Sequence, residues 1–124
     1  MAQPLVLIVE DNPETRHFYG ECFARGGFST KEAHNGHQAL AMALALPPPD
    51  VIVTDIAVPG LDGIELCRRL RADARTRSIP VLAITGYEDR QYPDRILAAG
   101  ADQVLIKPCE PAVLVNEVRR LLSK

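Results

Sequence analysis

The sequence predicts an α/β fold: five parallel strands in the order 2-1-3-4-5, with five helices divided between both faces of the sheet. Two observations lead there. Apolar runs of four to six residues alternate along the whole chain with segments of helical period, the pattern of consecutive βαβ units. The runs Leu5–Val9, Val51–Thr54, Val81–Ile84 and Val104–Ile106 are almost continuously apolar, as strands buried on both faces are.

Each element has a local cause. Leu5–Val9 is the first strand, and Asn12-Pro13 opens the first helix, with an amide N-cap and proline at the first helical position. Phe18, Cys22 and Phe23 are expected on its inner face, and Gly26-Gly27 ends it. Phe28–Ala33 reads as strand two. Gln38–Leu46 reads as an alanine-leucine helix stopped by Pro47-Pro48-Pro49. Strand three leads to Asp55, and Val58-Pro59-Gly60-Leu61 is a turn. Asp62 caps a third helix with Leu66, Cys67 and Leu70 inward. A fourth helix carries Ile96, Leu97 and Ala99 and ends at Gly100. The fifth opens at Glu110-Pro111 and lines up Leu114, Val118, Leu121 and Leu122. Right-handed crossovers leave few ways to assemble these units, and the usual one at this length is a flavodoxin-like sheet.

Composition narrows the function classes. The 124 residues suit one domain, and 47% hydrophobic with 24% charged residues suits a folded globular chain. A net charge of −2 with scattered basic residues argues against nucleic-acid binding, which needs a concentrated basic face. No apolar stretch approaches the about 20 residues of a membrane span, and no signal-peptide pattern opens the chain. Cys22, Cys67 and Cys109 share no metal-ligand spacing and are expected as reduced thiols of a cytoplasmic protein. His17, His34 and His37 have no partners of catalytic spacing and read as surface or structural residues.

The chemistry lies at the strand ends. The first strand is followed by Glu10-Asp11, the third by Asp55, the fourth by Thr85 and the fifth by Lys107. In a parallel sheet all five gather beyond the carboxyl edge, where open α/β sheets bind ligands. Read singly, each has an ordinary explanation: dipole compensation for the acid pair, a turn cap for Asp55, a turn for Thr85-Gly86, a solvated charge for Lys107. Their convergence is what points to a divalent cation and a phosphoryl group.

The motifs Val9-Glu10-Asp11-Asn12, Asp55 with Pro59-Gly60 and Asp62-Gly63, Thr85-Gly86, and Lys107-Pro108 stand in one order across one domain. With them the chain resembles the receiver domain of two-component response regulators over residues 1–124. The resemblance implies a phosphoprotein, phosphorylated on Asp55 by a histidine kinase or a histidine-containing phosphotransfer protein and acting on a downstream protein target. It implies no independent enzyme, no nucleic-acid or membrane partner, and a monomer or weak dimer. Only Ser123-Lys124 follows the last helix, which suits either a stand-alone regulator or the isolated receiver of a longer protein, and Met1-Ala2 mildly favours the former.

The physics of the residues agrees. Mg²⁺ takes one or two carboxylates and keeps several waters, so Asp11 and Asp55 can bind it directly while Glu10 orients a water. By resemblance the Ala57 carbonyl completes the set. Lys107, Thr85 and the Ala57 and Gly86 amides can meet the remaining phosphoryl oxygens while the Asp55 carboxylate attacks. Also by resemblance, Ala57 and Tyr87 flank the path of the hydrolytic water.

Two positions depart from the family pattern. Val104 stands where receivers commonly carry a switching aromatic. Pro93 requires the fourth helix to start late or to kink. Both bear on the surface used for output. Three rival readings remain. A receiver-like interaction module that ignores phosphate would more naturally have lost Asp55, Lys107 or the acid pair. An aspartate-nucleophile phosphohydrolase expects a carboxylate at the position of Ala57. A flavin protein would not place Glu10-Asp11 against a cofactor phosphate.

Overall fold

A computed structural model describes residues 3–86 and 91–123. The elements are β1 (Leu5–Val9), α1 (Pro13–Arg25), β2 (Ser29–Ala33), α2 (Gly36–Leu44), β3 (Val51–Asp55), α3 (Gly63–Ala72), β4 (Val81–Thr85), α4 (Tyr92–Ala99), β5 (Gln103–Ile106) and α5 (Pro111–Leu122). The five strands are parallel in the order β2-β1-β3-β4-β5, as expected.

Alternation along each strand builds two cores. Leu7, Val9, Ile52, Val81 and Ala83 face α2, α3 and α4, where Ala39, Ala43, Leu66, Leu70 and Ile96 meet them. Val6, Ile8, Val53, Leu82 and Ile84 face α1 and α5, against Phe23, Leu114, Val118 and Leu121. With both faces covered, only the strand ends can present polar side chains to a ligand.

Capping fixes where three helices begin. Asn12 accepts from the Thr15 amide at 3.0 Å, Asn35 from Gln38 at 2.8 Å and Asp62 from Glu65 at 2.9 Å. Such a cap typically contributes about 1 kcal/mol. Pro93 sits in the first turn of α4, where its missing N–H costs no helical bond, so the helix starts late rather than kinking.

Several expectations shift. Phe18 is 45% exposed and Tyr19 takes the inward position beside Cys22 and Phe23. Leu97 likewise lies outward, leaving Ile96 as the buried anchor of α4. β2 starts at Ser29 because the Phe28 amide is spent on the Phe23 carbonyl at 3.0 Å, closing the end of α1. The second helix runs two residues earlier than its alanine-leucine composition suggests. Asn35-Gly36 starts it, and Ala45 and Leu46 fall outside, because the residue before a proline is driven out of the helical region. Leu46 is 89% exposed.

The corrected α1 face is testable by urea unfolding. Phe23→Ala should cost about 3–5 kcal/mol, whereas Phe18→Ala should stay within about 0.5 kcal/mol. Equal losses would restore Phe18 to the core.

Candidate functional site

The sheet edge brings the expected residues together through strand order. β1 and β3 are neighbours, with Val9 opposite Thr54, so Glu10 and Asp55 leave adjacent strands side by side. β4 and β5 follow, and the Lys107 amide donates to the Thr85 carbonyl at 2.8 Å, extending that ladder beyond the last strand residue. Glu10 is 2% exposed, Thr85 1% and Asp55 9%. Asp11 projects outward and is exposed.

Asp55 is engaged at both carboxylate oxygens. Its Oδ1 accepts the Ala57 amide at 3.1 Å, and its Oδ2 accepts the Lys107 ammonium at 2.5 Å. Lys107 Nζ also stands 3.7 Å from Glu10 Oε1. Burial pulls the Lys107 pKa down, but the hydrogen bond and charge of Asp55 more than offset it and the net shift is upward. Glu10 moves further, from an ordinary 4.5 to about 7, chiefly because burial strips its carboxylate of water. The Asn12 amide, donating to its Oε2 at 3.0 Å, works against that rise, while the neighbouring Asp11 and Asp55 add to it.

Two buried polar atoms have no hydrogen-bond partner among the described residues, Glu10 Oε1 and Thr85 Oγ1. Orphaned groups of this kind are uncommon in cores and call for a ligand or a proton. Both lie at the same sheet edge as Asp55.

Arg16 supports the site, although no local sequence pattern singles it out. Its guanidinium donates to the Glu10 carbonyl at 2.9 Å and to Glu32 Oε1 at 3.0 Å, tying the acid loop to α1 and β2. Tyr19 is a second. Together with Phe18, Lys107, Pro108 and Cys109 it lines an open cleft of about 620 Å³ beside the site. Burial pushes its hydroxyl up to about 12, with the Lys107 charge opposing. Cys109 packs partly buried against the core between the sheet and α1 and α5, as expected of a small apolar residue. His17, His34 and His37 are exposed. Tyr87 lies outside the described residues.

Among the described residues, no three His, Cys, Asp or Glu side chains are already arranged to hold a metal ion. The site is an acidic, oxygen-only corner with one ammonium drawn into it.

Comparison with known proteins places this geometry. The chain matches the response regulator receiver domain model over residues 6–119 and belongs to that family. It is 34% identical to the DNA-binding dual master transcriptional regulator RpaA of Synechocystis, over 98% of this chain and 50% of that protein. It is 38% identical to the signal receiver domain of a signal transduction histidine kinase from Syntrophus aciditrophicus, with a TM-score of 0.89 over 97% of this chain and 90% of that one. The receiver domain of sensor histidine kinase PA1611 from Pseudomonas aeruginosa is 28% identical, with a TM-score of 0.90 over 100% of both chains, and holds a magnesium ion in its active site cleft. The chain thus spans about half the length of the curated regulator it matches. No helix among its described residues is long and apolar enough to cross a membrane.

The raised Glu10 pKa predicts a pH signature in metal-free protein. Between about pH 4.5 and 7 the folded state holds a proton that the unfolded chain has released, so this group's stabilising contribution is lost as pH rises through about 7. Glu10→Gln should therefore flatten the decline in stability across that window, measured by urea unfolding in the presence of chelator. A decline as steep as the parent's would assign the effect elsewhere.

Proposed function

We propose that this receiver domain accepts a phosphoryl group on Asp55 in a Mg²⁺-dependent reaction. The observation that carries this reading is the Lys107 ammonium seated on Asp55 Oδ2 while the Ala57 amide holds Oδ1. A carboxylate oriented by two donors at an open sheet edge is a nucleophile already in position.

The residues fit a divalent cation. The donors are oxygens only, Glu10 Oε1 is buried without a partner among the described residues, and burial, with smaller contributions from Asp11 and Asp55, raises the Glu10 pKa to about 7. Asp11, Asp55 and the Ala57 carbonyl would hold the ion, with Glu10 on one of its waters; two carboxylates and several waters is the usual Mg²⁺ arrangement, which requires no finished cage. When bound, the ion would neutralise negative charge on the carboxylates and on the incoming phosphoryl oxygens.

The chain's own groups then do the following. An Asp55 oxygen forms the new O–P bond as the P–N bond of a phosphohistidine breaks, and the imidazole nitrogen leaves with the electron pair. Lys107 moves from Asp55 to a phosphoryl oxygen, so the same ammonium neutralises the carboxylate before transfer and the phosphoryl group after it. The Thr85 hydroxyl, unpartnered at the edge, donates to another oxygen. The protein contributes positioning and charge, and is not an independent enzyme.

The donor is a histidine kinase or a histidine-containing phosphotransfer protein, and the cleft lined by Phe18, Tyr19 and Pro108 beside Lys107 offers it an apolar seat. Output goes to a downstream protein, within the cytoplasm. Val104 packs against the α2–α4 core and is too small to swing as an aromatic would, so phosphorylation should displace residues near Thr85 more than the outer face of β5.

A small-molecule phosphodonor with Mg²⁺ should label the parent. Asp55→Asn should abolish labelling, Asp62→Asn should not, and Lys107→Met should slow it about 100-fold. Undiminished labelling of Asp55→Asn protein would sink the assignment.

The lifetime of the acyl phosphate gives a second check. Ala57 offers no polar side chain to hold a hydrolytic water, so Ala57→Asn combined with Tyr87→Glu should shed label faster once the donor is removed. Equal loss from variant and parent would rule out control by these side chains.

A further inference from the structure

Gly36, the first residue of α2, lies far along the sequence from every residue of the phosphoacceptor site. A Cβ built on it would stand 1.8 Å from the Leu61 carbonyl oxygen and 2.7 Å from the Leu61 carbonyl carbon. Its φ lies outside the left-handed region, so glycine is not required there by backbone conformation. Alanine is the better helix former at such a position. The missing side chain is therefore a matter of space: the backbone of α2 lies directly against the backbone of the β3–α3 loop.

We infer that Gly36 is a positioning residue for that loop, setting where Ala57 stands relative to Asp55. The inference rests on the reading of Asp55 and Ala57 given above.

Three observations make the contact stiff. The start of α2 is a fixed wall, because Asn35 caps the Gln38 amide and the Gln38 side chain accepts the His34 amide at 2.7 Å. The helix has little room to retreat, since Ala39 and Ala43 are buried in the α2–α4 core. The loop has little slack. The Gly63 amide closes it onto the Ile56 carbonyl at 2.9 Å, and Val58 and Leu61 are both anchored in the same core. His37, the next residue of α2, adds a second point of support: its ring lies 3.2 Å from where a Cβ on Gly60 would be. A push at Leu61 must therefore be taken up by the Ile56–Leu61 segment, which includes the Ala57 amide on Asp55 Oδ1.

The test uses the whole chain and three variants. Gly36→Ala adds bulk at the contact. Asn35→Ala loosens the start of α2 without adding bulk. Ala43→Gly weakens α2 two turns away and serves as the stability control. Two readouts are taken: amide hydrogen exchange at Ala57 in metal-free protein, and Mg²⁺ affinity from a titration followed by amide chemical shifts. Gly36→Ala should speed Ala57 exchange and weaken Mg²⁺ binding about tenfold, the usual scale for losing support behind a metal ligand. Asn35→Ala should do both to a smaller extent, and Ala43→Gly should do neither despite lowering the urea midpoint. If Gly36→Ala matches Ala43→Gly in both readouts while the parent binds Mg²⁺ and takes label, the positioning role is wrong and the proposed function stands. If Gly36→Ala does not fold, Asn35→Ala decides by the same comparison. A parent that neither binds Mg²⁺ nor takes label overturns the proposed function, and this inference with it.

Discussion

The site depends on one ion pair, Lys107 to Asp55, made between residues 52 apart in sequence at a separation of 2.5 Å. Without the ammonium, the buried carboxylates of Glu10 and Asp55 would lie side by side uncompensated, an arrangement that buried charges do not tolerate unpaired. The pair can form only because β3 and β5 flank β4 and end at the same level. That level is set by the register in which Asp55 lies opposite Ile84 and Thr85 opposite Ile106. Fold and charge balance are thus one constraint. A slip of one residue would turn inward-facing side chains outward and carry Lys107 away from the carboxylates.

The balance is incomplete, and the shortfall is informative. One ammonium against three carboxylates leaves the corner acidic, and burial, reinforced by Asp11 and Asp55, raises the Glu10 pKa to about 7. A site built only for stability would have replaced one acid or added a second base. Thr85 tells the same story from the donor side, since a buried hydroxyl without a partner among the described residues costs stability rather than adding to it. An excess of negative charge together with an idle donor is a poor resting arrangement, and one that suits the arrival of a cation and an anion together.

Much of this was legible in the sequence, for identifiable reasons. Strand interiors buried on both faces are mostly apolar, with Thr54 as an exception, so the change to Glu10, Asp55, Thr85 and Lys107 marks strand ends, and side-chain oxygens at Asn12 and Asp62 mark helix starts. Amphipathic position within α1 was less legible. Phe18 and Tyr19 are adjacent aromatics, and composition does not say which turns inward; packing against Phe23 and the cleft beside Lys107 decides it. The start of α2 was misread because its Asn35-Gly36 signal is short and its alanine-leucine stretch runs on past the true end. The Glu10 proton, the Arg16 support and the Gly36–Leu61 contact arise from distances between segments, which no local pattern encodes.

Val104 shows how a site can keep its chemistry while changing its consequences. The residue lies opposite Ala83 on the face of β5 that packs toward the α2–α4 core. A large ring at this point could occupy either the space near Thr85 or the surface, and the phosphoryl group would bias that choice. A valine has one compact shape and a single strongly preferred rotamer range, so occupancy of the site would alter its surroundings little. What would remain free to respond is the Thr85 hydroxyl, which has no partner among the described residues, and Lys107, which on the proposed reading would leave Asp55 to reach a phosphoryl oxygen. Lys107 borders the cleft between α1 and Pro108, so its movement reshapes that cleft directly. On the reading proposed above, the surface that would meet the donor and the surface that phosphorylation would alter therefore overlap. A partner bound at α1 would feel the displacement of the Lys107 ammonium without any rearrangement of α4.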